Sequence, residues 1–415
     1  MKSPMHGPRL FAFALFLSTA APILAQTPLT FTPLAAMPDG GRYGAGYCQD
    51  QNFFYSVGGG SPATAFTGDV FRYDPAANSW GAGPFSRGQV SPQRFGTAAI
   101  LAPNTSTSLL FVLNGAASTG PVAIATGQNV RASDGVAAGS FGNPTPASSA
   151  GTAVWNGLLY AYGGQAAPTP STYTNQLRAY NPATGVWATL APMAEAKSVF
   201  GAAVNGKIYI FGGFDGMVNS NRVDAYDIAT NTWQALGTLP TTVASQAVAV
   251  LGELIWLVGD FTNQAYLAAY DTRTGQLRTF TSNLPPRRNA AAAVAGGFLY
   301  VWGGNTASSN ATTLADLWRA DVQSIATASP RARVRPPLQA YPSPSATGRL
   351  TVTPPAPAAA QLVVSDAQGR TVRRLAVPAG AASVEVDLAD QAAGLYLLRW
   401  QGAGRPAAAC RVVRQ

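Results

Sequence analysis

Arginine stands ahead of three similarly built apolar segments: Arg42 before Tyr43-Gly44, Arg94 before Phe95-Gly96, and Arg287-Arg288 before Asn289-Ala290. A guanidinium offers a planar fork of N–H donors, so several converging on one spot would hold a carboxylate or an acidic sugar. Lys197, Asp215 and Asp260 occupy comparable places between apolar runs. The candidate ligand-binding set is therefore Arg42, Arg94, Lys197, Asp215, Asp260, Arg287 and Arg288. The competing reading is that each arginine pairs with a nearby acid or stacks on a ring, and that each aspartate caps a solvated turn.

Most other chemistry is excluded by what the chain lacks. Its only histidine, His6, lies in a segment that reads as a removable leader, so the remainder has no Ser/His/Asp triad, imidazole base or His-ligated zinc or copper. Cys48 and Cys410 are too few and too far apart for a disulfide framework, and read as two buried free thiols. No glycine run matches a dinucleotide fingerprint or a GxxxxGK[ST] phosphate loop. No catalytic residue, metal or cofactor is assigned.

The elements that position these residues are strands. With 43 Gly and 31 Pro in 415 residues, turns punctuate the chain too often for a helical bundle. A composition 47% hydrophobic, 10% aromatic and only 11% charged supports a large core. Lys2 and Arg9, the apolar run Leu10 to Ala21 and the small residues up to Ala25 have the order of a secretory signal peptide over residues 1–25. No later stretch is apolar for long enough to anchor the mature chain in a bilayer.

An internal repeat follows. A glycine doublet closes an apolar run at Gly58-Gly59, Gly163-Gly164, Gly212-Gly213 and Gly303-Gly304, with Gly259-Asp260 and Asn114-Gly115 as variants. From Gly163 onward the spacing is 44 to 49 residues. In phase with it come Tyr73-Asp74-Pro75 with Trp80, Tyr180-Asn181-Pro182 with Trp187, Tyr226-Asp227 with Trp233, and Tyr270-Asp271 with Leu277. Each is a strand, an Asp/Asn turn and a second strand opening on an aromatic or Leu. A small-residue run ahead of each doublet, such as Phe200 to Val204, completes four short strands per repeat.

This pattern resembles the kelch repeat, with inner strand A, strand B ending in Gly-Gly, strand C ending in a Tyr-Asp-Pro turn and strand D opening on Trp. The resemblance implies an all-β fold: a six-bladed kelch-type β-propeller over residues 26–324. A seventh blade built from residues 120–146 is the alternative. The last repeat lacks a strand D, and Leu29 to Pro38 resembles one, so the two ends are expected to share a sheet and close the ring. The doublet glycines are expected to be architectural, packing near the Tyr and Trp of the same or a neighbouring blade.

Kelch propellers commonly bind ligands on the face formed by the D–A and B–C loops, where the candidate residues fall. Aligned with Arg42, Arg94 and Arg287-Arg288, the other repeats show Ser149, Val199 and Ser245. The arginines would then be contiguous around the ring. A glycosidase needs two carboxylates on one face, whereas Glu195 and Glu253 are expected on opposite faces. Kelch copper oxidases similar to galactose oxidase need histidine ligands, which are missing.

After residue 324 an Ala/Pro/Arg-rich stretch, 325–337, reads as a linker. Residues 338–415 alternate in short strands and predict a small β-sandwich. They resemble the C-terminal sorting domain of type IX secretion cargo from Bacteroidetes through Tyr341-Pro342-Ser343-Pro344 (where the family usually has Asn for Ser343), the turn Asp366-x-x-Gly369-Arg370, Gly394-x-Tyr396 and the ending RVVRQ. That resemblance implies export through type IX machinery to the outside or to the outer-membrane surface.

The formal charge of +9 would suggest nucleic acid as a partner, but residues 26–324 hold 14 Lys+Arg against 14 Asp+Glu. The excess lies in the leader, linker and tail, and no nucleic-acid partner is expected. The expected function is a secreted or cell-surface propeller that binds a glycan or a protein. The alternative is a carbohydrate-active enzyme resembling kelch-type sialic-acid mutarotases.

Overall fold

In the computed structural model, residues 28–81, 88–104, 107–117, 123–168, 171–328, 338–341, 345–353, 360–378, 381, 383–402 and 408–415 are described. The expected signal peptide, most of the expected linker, and Pro342 and Pro344 lie outside them. The chain divides into two compact bodies, residues 1–326 and 327–415.

The first body is built of antiparallel sheets in sequence order. Gly46–Gln49, Phe54–Val57, Thr67–Asp74 and Ser79–Trp80 form the first repeat. The second comprises Gly88–Asn104, Thr107–Ala117, Thr126–Arg131 and Ala137–Gly142, and the start of its inner strand also pairs with Thr67–Asp74, joining the two repeats in one eight-stranded sheet. Residues 126–142, which a seventh blade would require, are thus the third and fourth strands of the second repeat. Four-stranded sheets follow with inner strands Gly151–Trp155, Ser198–Val204, Ala247–Leu251 and Ala291–Ala295. The last sheet takes its fourth strand from the N-terminal segment: Thr32–Leu34 pairs antiparallel with Leu317–Asp321, Pro33 opposite Trp318. The expected linker begins inside a short helix, Gln323–Ala328, whose Ile325 packs on the core.

The inner strands are rich in Ala and Gly because they converge on a common channel of about 470 Å³ lined by all six. Small side chains let the strands approach. The bulk lies between sheets, where Trp256 and Val258 of the fifth repeat pack with Ala292, Leu299 and Val301 of the sixth. Tyr and Trp of the hairpins meet at ring-centroid distances of 5.1 Å (Tyr73–Trp80), 5.0 Å (Tyr180–Trp187) and 5.3 Å (Tyr226–Trp233). Each indole N–H then donates to a carbonyl of the preceding fourth-strand segment: Trp80 to Ala35, Trp187 to Gly142 and Trp233 to Ala191. In the second repeat, without this pair, Phe141 stacks on Tyr180 at 4.9 Å.

The doublets hold neighbouring repeats together. Their second residue donates its backbone N–H across the junction: Gly59 to Gln93 O, Gly115 to Ala147 O, Gly164 to Lys197 O, Gly213 to Val243 O and Gly304 to Arg42 O, at 2.7–2.9 Å. The first glycine faces the same carbonyl. At Gly163, φ is +60° and a Cβ would stand 2.5 Å from Lys197 O, closer than any side chain tolerates. The doublets are architectural, as expected, but they pack on the next repeat's backbone carbonyl. Asn114 takes the first position of its doublet at φ +63°, which Asn tolerates better than most residues.

Two side chains of the first inner strand pair with free edges of other inner strands. The Tyr47 hydroxyl accepts from Val248 N (2.7 Å) and donates to Val248 O (3.3 Å), while the Gln49 amide bonds both N and O of Val294. Desolvation pushes the Tyr47 pKa up to about 12 and those of Tyr73, Tyr226 and Tyr266 to about 12 as well.

Two outcomes are expected. Gly163→Ala and Gly252→Ala place Ala at nearly the same φ (+60° and +59°), but a Cβ at Gly252 meets nothing within 4 Å. Gly252→Ala should cost about 1 kcal/mol and Gly163→Ala about 3 kcal/mol or more in denaturant unfolding. Second, the raised phenol pKa values mean that above about pH 10 the unfolded chain releases protons that the folded chain keeps until about pH 12. The stability present below pH 10 is lost across that window, and Tyr47→Phe should flatten the loss measured by thermal melts.

Candidate functional site

The carbonyl acceptors of the clasp number the start of every repeat: Arg42, Gln93, Ala147, Lys197 and Val243, with Arg287 O standing against Gly259 in the same way. All six of these residues are buried between repeats. Two residues later comes a left-handed position: Gly44, Phe95, Ser149, Ser245 and Asn289, at φ +52° to +60°. On this register Arg42 aligns with Gln93 and Arg287, whereas Arg94 aligns with Arg288. The alignment of Arg42 with Arg94 is therefore off by one residue, and that step sends the two side chains into different surroundings.

Arg42, 3% exposed, bonds Asp69 Oδ2 at 2.5 Å and Gly41 O at 2.7 Å. Arg287, 0% exposed, forms a fork with Asp316 (3.0 and 2.9 Å) and donates to Pro285 O and Gly303 O. Lys197, 2% exposed, meets Glu195 Oε2 at 2.8 Å. Each buried cation depends on its carboxylate, because losing that partner would strand the charge. The aspartates cap turns. Asp215 accepts the N–H groups of Val218 and Met217, which hold its carboxyl below the ordinary range, and buried Asp260 accepts those of Ala244, Thr262 and Asn263. Glu253 bonds Asn205 of the preceding repeat's A–B turn and Thr272 of its own C–D turn, away from Glu195.

Arg94 and Arg288 differ: among the described residues neither meets a carboxylate. The Arg94 guanidinium lies 4.9 Å from the centroids of Phe66 and Phe95 and donates to Tyr43 Oη, which donates to Asn310. Arg288 lies 4.2 Å from the centroid of Phe261 and donates to Ser308. Phe95 and Phe261 both line a cleft of about 460 Å³, within the usual range for ligand sites. Arg42 and Arg287 are thus held in ion pairs, whereas Arg94 and Arg288 each lie against a ring that lines the cleft.

The cleft opens where a backbone belt is interrupted. Left-handed residues of adjacent repeats are linked N–H to O: Gly44 to Asn289, Phe95 to Gly44, Ser149 to Phe95 and Asn289 to Ser245. At the fourth repeat, Ser198–Val204 instead extends outward with a bulge, Ser198 pairing with Phe214. Ser149, Ser198, Phe200 and Ser245 thus border the cleft, with Tyr173, Phe214, Phe261 and Met217 around it. Met217 is 88% exposed and Phe261 49%. Sequence reasoning, directed at charges, missed these residues. The signal was there, since Phe214 and Phe261 directly follow the doublet position in their repeats. Phe95 is also unusual, a bulky residue at φ +56° where other repeats have Gly, Ser or Asn. Such backbone strain concentrates at functional sites.

Among the described residues no group of three or more His, Cys, Asp or Glu is placed to hold a metal ion. Cys48 and Cys410 are free and half-buried rather than fully buried.

In the second body, Asp366 accepts the backbone N–H groups of Gln368 and Arg370 and pairs with Arg370 Nε at 2.7 Å, with Gly369 at φ +81° closing the turn. Gly394 opens the strand Gly394–Gly402, and Tyr396 is buried with its hydroxyl on Ala392 O. Tyr341 ends the strand Gln339–Tyr341.

Residues 44–259 match the KLHDC2/KLHL20/DRC7 Kelch-repeats domain, and residues 339–412 match the Secretion system C-terminal sorting domain. The chain is similar to Kelch-like protein terF of Aspergillus terreus, 30% identical over 168 residues, which cover 36% of this chain and 34% of the relative. It is also similar to Kelch-like protein 40 of Xenopus laevis (32% over 105 residues; 25% and 17%) and Kelch-like protein 41a of Danio rerio (34% over 110 residues; 26% and 18%). The matches span about a third or less of these relatives. The tail indicates type IX export, and among the described residues no helix is long and apolar enough to cross a membrane. With the clasp recurring in phase with Tyr and Trp, and a kelch match over just over half of its length, the chain belongs to the kelch-repeat family and carries a secretion-system C-terminal sorting domain.

Proposed function

We propose that residues 26–324 are a six-bladed propeller that binds a partner protein through the aromatic cleft on its D–A and B–C face, and that residues 338–415 address it for surface delivery behind a 1–25 signal peptide and a 325–337 linker. The cyclic packing of six inner strands around one channel supports the count. The observation that carries the binding reading is the cleft itself. Exposed Met217 and Phe261 beside Phe214 and Tyr173 form an apolar surface of the kind a partner covers. Against two of its lining rings, Phe95 and Phe261, half-buried Arg94 and buried Arg288 keep guanidinium groups that no carboxylate of the described residues occupies. An extended segment with an apolar anchor and a carboxylate fits this combination. A glycan stacking on the same rings is the alternative ligand.

The test is a selection of full-length protein against a random peptide library and a glycan array, repeated with Phe214→Ala Phe261→Ala and with Arg94→Ala Arg288→Ala. Peptides with apolar and acidic residues should be enriched, and each double variant should bind them about tenfold or more weakly with an unchanged melting temperature. Peptides that bind both variants as well as wild type would overturn the cleft assignment. Binding of glycans alone would select the alternative, and turnover of an arrayed sugar would favour the enzyme.

A further inference from the structure

Of the residues by which the tail resembles sorting domains, the turn and Tyr396 are engaged in its own fold, whereas Arg411 and Val413 of the RVVRQ ending are exposed. Asp366, Gly369 and Arg370 close one turn on themselves, and Tyr396 is buried. A recognition surface must be sought among groups that are exposed. This step rests on the reading of the tail as an export address.

The second body has two sheets. One contains Gln339–Tyr341, Arg349–Thr353 and Val384–Asp387, and the other Thr371–Val377, Ala360–Ser365, Gly394–Gly402 and Ala408–Arg414. In the four-stranded sheet Tyr396, Leu398, Trp400 and Val412 point into the core with Leu362 and Val364. Strand alternation turns Leu395, Leu397, Arg399, Arg411 and Val413 to the other face. Leu395 stands opposite Val413 and Leu397 opposite Arg411, while Val363 lies between Arg374 and Arg399 on its two neighbouring strands. Leu395 is 45% exposed and Val413 38%, and Arg374, Arg399 and Arg411 are exposed.

Charge is divided unequally over this body. Its four carboxylates are elsewhere: Asp366 on Arg370, Asp387 beside Arg349, Asp390 on Arg373, and Glu385 on the three-stranded sheet. Among the described residues, Arg374, Arg399 and Arg411 meet no carboxylate. The outer face of the four-stranded sheet is thus an apolar spot flanked by three arginines whose charges nothing in the described domain neutralises. We propose that this face is the docking surface of the tail for an acidic protein partner, one that sets carboxylates against Arg374, Arg399 and Arg411 and an apolar side chain on Leu395 and Val413. A protein fits better than a lipid surface. Membrane-interface binding relies on exposed aromatic rings, and Tyr396 and Trp400 are buried.

The experiment follows surface delivery of the full chain in a type IX-competent host. It compares wild type, a deletion of residues 338–415, Arg399→Glu Arg411→Glu, Arg399→Gln Arg411→Gln, and Glu385→Lys on the opposite sheet. The deletion should abolish delivery, the Glu pair should reduce it about tenfold or more, the Gln pair should reduce it less, and Glu385→Lys should leave it unchanged. Purified variants are melted in parallel. If the Glu pair proves unstable, the Gln pair decides at wild-type melting temperature: reduced delivery supports the proposal and undiminished delivery overturns it. Abolition by the deletion with full delivery of a stable Glu pair overturns the docking face and leaves the export reading standing. Full delivery of the deletion overturns the export reading and the proposal with it. Flotation of wild type, but not of the Glu pair, with phosphatidylglycerol-containing vesicles would assign the face to anionic lipid and overturn the protein partner.

Discussion

One hydrogen bond, repeated around the ring, sets the terms for the rest: a glycine N–H of one repeat donating to the carbonyl that opens the next. At Gly163 a Cβ would collide with Lys197 O, and the first doublet position is glycine in every repeat but the second, where Asn114 keeps the same left-handed backbone. The Ala-rich inner strands, the core between sheets and the indole contacts to the preceding fourth-strand segment are all consistent with sheets held at this distance. Hydrophobic burial supplies most of the driving force, but it is non-directional. The clasp supplies the spacing between sheets.

The same bond decides which side chains are enclosed between sheets. The residue whose carbonyl is clasped lies between two sheets, so its side chain is buried there, and a charge placed on it must find a partner at once. Arg42, Lys197 and Arg287 do so with Asp69, Glu195 and Asp316. At the following residue, Arg94 and Arg288 meet no carboxylate of the described residues and lie over aromatic rings instead. The left-handed residue that ends the three-residue step ties inner strands together except at the fourth repeat, where the cleft opens.

The propeller was legible because its rules are local: a doublet, a Tyr-Asp turn and a Trp recur at a fixed spacing, and each reports a backbone geometry that few other residues allow. Even the exchange of the N-terminal strand could be read from a missing fourth strand and a segment resembling one. The site was less legible. Aligning Arg42 with Arg94 is natural when both precede an aromatic and a glycine, and only the hydrogen-bond register separates them. Met217 and Phe261 lie in loops and Phe214 is the last residue of its strand, where hydrophobic periodicity does not distinguish a cleft wall from a connection. Asn114 shows the converse, an irregular residue that keeps the regular backbone. In the tail, turn closure accounts for Asp366, Gly369 and Arg370 and burial for Tyr396, so these motif residues mark the domain through its own fold.

Thr32–Leu34 completes the sheet whose other strands end at Asp321, a pairing that spans 287 positions of the chain. Such a ring has no partial form in which both ends are satisfied, because the last sheet keeps an open edge until the first strand returns to it. Closure therefore needs the two ends of the first body together, and a chain without Thr32–Leu34 would leave Leu317–Asp321 as an open edge, free to pair with a strand of another molecule.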